Sequence, residues 1–314
     1  MQERFVGHSG LAVSRIGLGT ASWGRDTDEH EAAELFRLFV DAGGTLIDTA
    51  ASYAAGASES VLGALVSEVR RDEVVLVSKA GSSAGSRRPG TSRAAMLDGL
   101  DASLARLGTD HLDLWLVQGW EPRVPVDETL DALEHAVATG RTRYVGVANY
   151  TGWQTAYAHT RQELRDCAAP IVATEVEYSL LARHAEREVL PAAVDLGFGV
   201  LAWSALGRGV LTGKYRYGIP SDSRAASDHL AGFVDPYLDE SARQVVEAVC
   251  RAADGLQLTP LEVALAWVRD RRGVASALIG PRTAAQLKAA LSVEEVSLPV
   301  EIADALDDVS VESI

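Results

Sequence analysis

An α/β fold in one domain, a closed (β/α)8 TIM barrel, is what this sequence predicts, on three observations. Short β-branched or apolar runs alternate with amphipathic helical stretches along the chain, which implies a parallel sheet covered by helices. The runs end at 19, 48, 79, 118, 147, 176, 203 and 280, so the first seven follow at steps of 27 to 39 residues. A β-α-β unit needs roughly 30 residues. The segment after the first run, GLGTASWG, fails the G-x-G-x-x-G pattern that an open doubly wound sheet usually carries there.

Each element follows in order. The opening RFVGHSGLAVS (4–14) alternates around a glycine and predicts a hairpin that closes the bottom of the barrel. Runs at 16–19, 45–48, 74–79, 112–118, 144–147, 172–176, 199–203 and 275–280 predict the eight barrel strands. The last step, 77 residues, holds a long loop after strand seven (about 204–236) and two helical stretches near 238–254 and 259–271. No Pro/Gly/Ser linker, low-complexity tract or heptad repeat divides the 314 residues, so residues 1–314 are expected to form a single domain.

With 47% hydrophobic and 23% charged residues, the chain matches ordinary globular usage. Its 29 Lys and Arg against 44 Asp and Glu give a net charge of −15. That balance repels phosphate backbones and anionic lipid and argues against nucleic-acid or membrane partners. No apolar run approaches the ~20 residues of a membrane span, and MQERFVGHSG lacks the basic start and apolar core of a signal peptide. A cytoplasmic location is therefore expected. Cys167 and Cys250 lie too far apart in sequence for a CxxC motif, and two cysteines make no disulfide framework. Histidines 8, 30, 111, 135, 159, 184 and 229 show no HxH or HExxH spacing, so no metal site is expected.

Active sites of such barrels sit at the C-terminal ends of the strands, and unusual polar residues collect there. Strand two ends in Asp48 and leads to Tyr53; strand three ends in Ser78-Lys79 and strand four in Gln118. Strand five runs into Asn149-Tyr150, strand six contains Glu175, strand seven ends in Trp203-Ser204, and strand eight opens into Gly280-Pro281-Arg282. Asp48, Tyr53 and Lys79 can form one machine. A phenol, with a pKa near 10, donates its proton poorly at neutral pH. A nearby ammonium stabilises the phenolate and lowers that pKa, and a carboxylate keeps the ammonium charged. Such a tyrosine can protonate a carbonyl oxygen while hydride reaches the carbon. The plainer reading is an Asp–Lys ion pair that braces the barrel, with Tyr53 an ordinary loop aromatic.

Over essentially its whole length the sequence resembles the aldo-keto reductase family. GTLIDTAASYAAGASESVLGALV (44–66) is similar to the strand-two signature that carries the catalytic Asp and Tyr, and VVLVSKAG (74–81) to the strand of the catalytic Lys. YVGVANY (144–150), EVEYSLLAR (175–183) and WSALGRGVLTGKY (203–215) resemble cofactor-binding segments, and LIGPRTAAQL (278–287) the adenosine-phosphate motif. The resemblance implies reduction of an aldehyde or ketone by NADPH, bound extended and without a Rossmann fold. By that analogy Trp203 stacks on the nicotinamide and Asn149 and Glu175 meet its carboxamide. Ser204, Leu206, Gly207 and Lys214 wrap the pyrophosphate, Gly280 and Arg282 take the 2′-phosphate end, and Gln286 touches the adenosine. Their plainer readings are a barrel-lining tryptophan, a left-handed turn asparagine and a solvated helix-start arginine. Trp23 and Trp120, after strands one and four, would line the mouth for a partly apolar carbonyl substrate, or simply pack their loops.

Four positions depart from the family pattern. Gln118 stands where most members carry a catalytic histidine; an amide can still orient the substrate oxygen but cannot be protonated. Amide-bearing members, the potassium-channel β subunits, are slow reductases, and a glutamate there marks the steroid double-bond reductases. Glu175 replaces a glutamine, Ala148 a serine, and Ala290 an asparagine that contacts adenine. His111 precedes strand four and lies at the wrong end of the barrel to replace the histidine.

Other classes compete. Residues 81–85 read G-x-S-x-G, but a nucleophile elbow joins a strand directly to a helix, and here a loop continues through SRRPGTS. Lys79 could form a Schiff base, although the adjacent Asp48 opposes the neutral amine. Reduction of an activated C=C bond, or an NADPH-sensing regulatory subunit with slow reductase activity, remain open beside carbonyl reduction.

Overall fold

Eight parallel strands close into a barrel, and an antiparallel hairpin precedes them. The computed structural model describes residues 1–82, 90–165 and 169–311. Cys167 and residues 83–85 of the G-x-S-x-G segment lie outside the described residues.

The hairpin pairs β1 (Glu3–Phe5) with β2 (Ala12–Ser14). The barrel strands are β3 (Ile16–Gly19), β4 (Leu46–Asp48), β5 (Val75–Ala80), β6 (Leu112–Val117), β7 (Thr142–Ala148), β8 (Ile171–Glu177), β9 (Gly199–Trp203) and β10 (Val274–Ile279). They pair in chain order, and β10 closes on β3. All eight expected strands are present within about two residues of their expected ends. Helices α1 (Glu29–Asp41), α2 (Ala57–Val66), α3 (Arg93–Leu107), α4 (Val126–Ala138), α5 (Gly152–Glu163) and α6 (Val189–Leu196) follow β3 to β8 in turn. After β9 come a one-turn helix α7 (Ala231–Val234), then α8 (Glu240–Leu256) and α9 (Pro260–Arg269); α10 (Ala284–Leu291) and α11 (Val300–Ser310) follow β10.

Local chemistry starts these helices where the sequence allows. Thr151 and Gln154 form a reciprocal capping box at α5, and Thr259 with Glu262 does the same at α9, where Pro260 opens the first turn. Among the described residues no helix is long and apolar enough to cross a membrane.

Two apolar clusters hold the fold. The larger packs the outer strand faces against the helices; the smaller fills the lower barrel with Leu46, Val77, Leu114, Leu116, Ala173, Leu201 and Leu278. Val6, Leu11 and Val13 of the hairpin join that inner cluster, so the hairpin plugs the bottom, as its alternation predicts. Its turn demands glycine: Gly7 has φ +56°, and a Cβ there would lie 2.2 Å from the Gly197 carbonyl oxygen. With the bottom sealed by apolar residues, the polar strand ends face the opposite, open end.

Candidate active site

Asp48 is the last residue of β4 and Lys79 the penultimate residue of β5, while Glu175 projects from β8; all three are buried. The Lys79 ammonium lies 2.5 Å from Asp48 Oδ1, donates to the Thr49 carbonyl at 3.0 Å, and reaches the Tyr53 hydroxyl at 3.5 Å. Glu175 Oε2 is 3.2 Å from the same Nζ. Tyr53 is half-buried and opens a tight turn in which Ala54 (φ 47°), Ala55 (φ 54°) and Gly56 (φ 94°) are all left-handed. Two alanines in that region store on the order of 1 kcal/mol each. Strain of this kind is tolerated where the surroundings fix one geometry, here the one that turns the phenol toward Lys79.

The electrostatics follow from burial and from counting charges. Burial would depress Lys79, but Asp48 and Glu175 outweigh it, so the amine is held as the ammonium well above its usual range. A neutral, Schiff-base-forming lysine is thereby disfavoured. Burial pushes the Tyr53 phenol up, with Lys79 pulling against it and the two carboxylates adding to it. Lys79 does act on Tyr53 in the expected sense, yet desolvation is larger, so the net shift is upward and not downward as the three residues alone suggest. The phenol therefore stays protonated, the form a proton donor needs.

Gln118 follows β6 directly. Its Nε2 donates to Ser52 Oγ at 2.7 Å, and Oε1 is buried without a partner. Because a hydroxyl both donates and accepts, turning the amide over lets Ser52 serve Oε1 and frees Nε2. Asn149 sits left-handed at φ 58°; its Nδ2 donates to the Gln118 carbonyl at 2.9 Å, and its Oδ1 accepts from the Trp203 indole at 3.0 Å. Asn149 is thus the left-handed turn residue of its plainer reading, and its amide also fixes the plane of Trp203. Ala148 is wholly buried beside it, and Ala290 faces the core.

Beyond Trp203 the chain makes a run of turns with Ser204, Gly207, Arg208, Gly209 and Gly213 at positive φ. The Gly207 amide closes back on the Ser204 carbonyl at 2.7 Å and the Gly209 amide on that of Leu206 at 3.0 Å. The long loop then crosses the open end. Arg208 forks onto Glu177 at 2.9 and 2.7 Å and lies over Phe233, and His229 Nε2 meets Asp26 Oδ1 at 2.8 Å on the loop after β3. Arg224, which sequence reasoning did not single out, donates to the Gly280 carbonyl at 2.6 Å, and Arg282 donates to that of Asp222. Gln286 Oε1 accepts from the Arg282 amide at 2.9 Å. Lys214, Arg224 and Arg282 make no ion pair with a described carboxylate. Burial and mutual repulsion hold Lys214 and Arg224 below their usual ranges. Three cations without a carboxylate partner, gathered beside this run of turns, match a phosphate-bearing ligand.

The two tryptophans expected at the mouth are placed differently. Trp120 meets Tyr150 edge-on at 5.2 Å and Trp153 at 5.5 Å, with Trp153 more than half exposed. Trp23 is wholly buried in the main core, so it supports the loop after β3 from beneath and does not line the mouth.

Comparison with known proteins identifies the relatives of this chain. Residues 15–311 match the model of the aldo/keto reductase family. The uncharacterized oxidoreductase YrpG of Bacillus subtilis is 35% identical over 98% of this chain and 96% of its own length. A probable voltage-gated potassium channel subunit beta of Arabidopsis thaliana is 32% identical, covering 94% of this chain and 92% of that protein. The aldo-keto reductase YhdN of Bacillus subtilis is 31% identical over 92% and 87%.

Proposed function

The chain belongs to the aldo/keto reductase family, and on that premise we propose that it reduces an aldehyde or ketone to the alcohol with NADPH. One observation carries the reading: a buried ammonium bound to Asp48 at 2.5 Å lies 3.5 Å from the hydroxyl of Tyr53. NADPH, when bound, supplies the hydride. The chain supplies the proton and the setting. Tyr53 gives its hydroxyl proton to the oxygen of the carbonyl as that oxygen becomes an alkoxide. Lys79 is kept charged by Asp48 and stabilises the phenolate left behind. Gln118 orients the oxygen through Nε2. Trp203, held by Asn149, offers a flat apolar surface to a planar ring. The Trp120, Tyr150 and Trp153 wall favours a partly apolar substrate.

Lys214, Arg224 and Arg282 would hold the phosphates, and three cations are more than a pyrophosphate alone requires, which supports NADPH over NADH. Titration of the protein with each nucleotide, read by tryptophan fluorescence, tests this. Saturable quenching is expected, tighter for NADPH. Arg282→Ala should weaken NADPH about tenfold to a hundredfold, the worth of a charge-assisted hydrogen bond, and leave NADH nearly unchanged. Equal losses for both nucleotides would remove Arg282 from the 2′-phosphate. Gln118→His tests the amide: aldehyde turnover should rise on the order of tenfold or more if the missing acid limits the rate. An unchanged rate assigns the slow step elsewhere.

A second reading has support from the relatives named as potassium channel β subunits. In it the protein binds NADPH and regulates a partner, with reduction slow and incidental. Binding alone serves sensing, so a partner response that survives loss of the Tyr53 hydroxyl would favour it.

A further inference from the structure

Lys79 is over-subscribed. An ammonium carries three protons and accepts nothing, yet four oxygens lie within 3.5 Å of Nζ: Asp48 Oδ1, Thr49 O, Glu175 Oε2 and Tyr53 Oη. The contact with Glu175, although only 3.2 Å long, is not aligned as a hydrogen bond, and Oε2 is a buried oxygen without a partner. The three protons therefore serve Asp48, Thr49 and Tyr53, with Tyr53 the farthest. Glu175 stands beside them as a competitor that has not bonded.

Charge explains why it has not. Asp48 and Lys79 already neutralise each other, and a second carboxylate would leave an uncompensated negative charge where the side chains are no more than 4% exposed. The strand neighbours of Glu175 offer no cation: its register partners are Ala148 on β7 and Leu201 on β9. Asn149 and Trp203 at those strand ends are neutral, so the charged or titratable groups that face it are Asp48, Lys79 and Tyr53. Both carboxyls lie against the same ammonium, at 2.5 and 3.2 Å from Nζ, so a charge on one raises the cost of ionising the other. Burial, reinforced by Asp48, pushes Glu175 up to about 8. Burial raises Asp48 as well, with Lys79 pulling it back.

We infer that Glu175 is a positioning residue for the reduction proposed above: as the neutral acid it leaves the Lys79 ammonium turned toward Tyr53, and on ionising it captures that ammonium and switches the site off. No oxidant or second substrate takes part; the step is release of one proton from the Glu175 carboxyl to solvent. The carboxylate formed 3.2 Å from Nζ takes a proton of the ammonium from its most distant acceptor, the Tyr53 hydroxyl. Glutamine at this position cannot ionise, so only the glutamate makes the site respond to pH.

The test begins with the cofactor-free protein, where infrared difference spectroscopy across a pH titration detects a protonated carboxyl by its C=O stretch. A buried carboxyl band should vanish with a midpoint near pH 8, be absent from Glu175→Gln, and titrate at lower pH in Asp48→Asn, which removes the charge that raises it. The pH profile of kcat/KM should then fall about tenfold per unit above that midpoint, as for loss of one essential proton, and the fall should disappear in Glu175→Gln. No titrating band, or the same alkaline fall in both proteins, overturns the inference. A band that behaves as expected in a protein that reduces no carbonyl sinks the reductase reading and leaves the charge state of Glu175 established. Should Glu175→Gln fail to fold, the wild-type band and the alkaline fall of kcat/KM must share one midpoint, and separate midpoints overturn the inference.

Discussion

Tyr53→Phe should lower kcat for carbonyl reduction by roughly 10²–10⁴-fold, the contribution of a positioned general acid, while NADPH binding stays within about twofold of wild type. The substitution is confined to one oxygen. The ring keeps its place 5.1 Å from the Lys79 ammonium, and the strained turn that follows does not use the hydroxyl. The hydroxyl lies 3.5 Å from the Lys79 ammonium, which retains Asp48 and Thr49 without it. Fold and charge balance should therefore survive, and the loss should fall on the chemical step. Because burial holds the phenol protonated, the wild-type rate at neutral pH is not limited by loss of the donor. NADPH oxidation with a panel of aldehydes and enones measures the first half, and a fluorescence titration the second. Reduction at an unchanged rate would remove the Asp48–Tyr53–Lys79 machine from the reaction. Loss of binding would instead make the phenol part of the cofactor site.

The frame of that site was legible because it depends on local pattern. A barrel strand buried on both faces must be an apolar run, so a polar residue at its end stands out, and Asp48, Lys79 and Gln118 could be found that way. What escaped depends on pairs distant in sequence. Arg224 lies in a loop with no periodicity, and only the fold brings it to Gly280. Ser52 is the partner of Gln118 across 66 residues. Trp23 reads as a mouth residue because it follows a strand, yet the loop turns it inward and buries it completely. The shift of Tyr53 escaped for another reason: three charges can be counted from a sequence, but desolvation cannot.

Arg106→Met should destabilise the protein by about 2–4 kcal/mol, somewhat less than stripping a partner from a wholly buried ion pair, because Glu59 is fully buried while Arg106 keeps 30% of its side chain exposed. Glu59 is wholly buried on α2, and its two oxygens accept from Ser78 Oγ at 2.6 Å and from Arg106 Nε at 2.7 Å. Methionine fills much of the arginine's volume, so the loss is one of charge and not of packing. The buried carboxylate would then keep only the Ser78 hydroxyl as a partner. On a barrel of this size the thermal midpoint should fall on the order of 10 °C. Glu59→Gln combined with Arg106→Met should recover a large part of the loss, since an amide leaves no charge to neutralise. The contrast is Arg70, whose pairing with Asp72 at 2.5 Å is just as short but stands in open solvent with 75% and 68% of the side chains exposed. There Arg70→Met should leave the midpoint where it is, because water and salt already screen the pair. Equal effects at the two sites would mean that burial does not set the worth of these bonds. The buried pair also reaches the chemistry. Ser78 is the neighbour of Lys79, and a Cβ on Gly56 would lie 2.9 Å from Arg106 Nε, so the guanidinium packs directly on the left-handed turn that presents Tyr53. Measured well below its lowered midpoint, Arg106→Met should therefore lose turnover while the Glu59→Gln double variant regains stability and not rate. A double variant that regains both would show that Arg106 acts on Tyr53 only through the charge of Glu59.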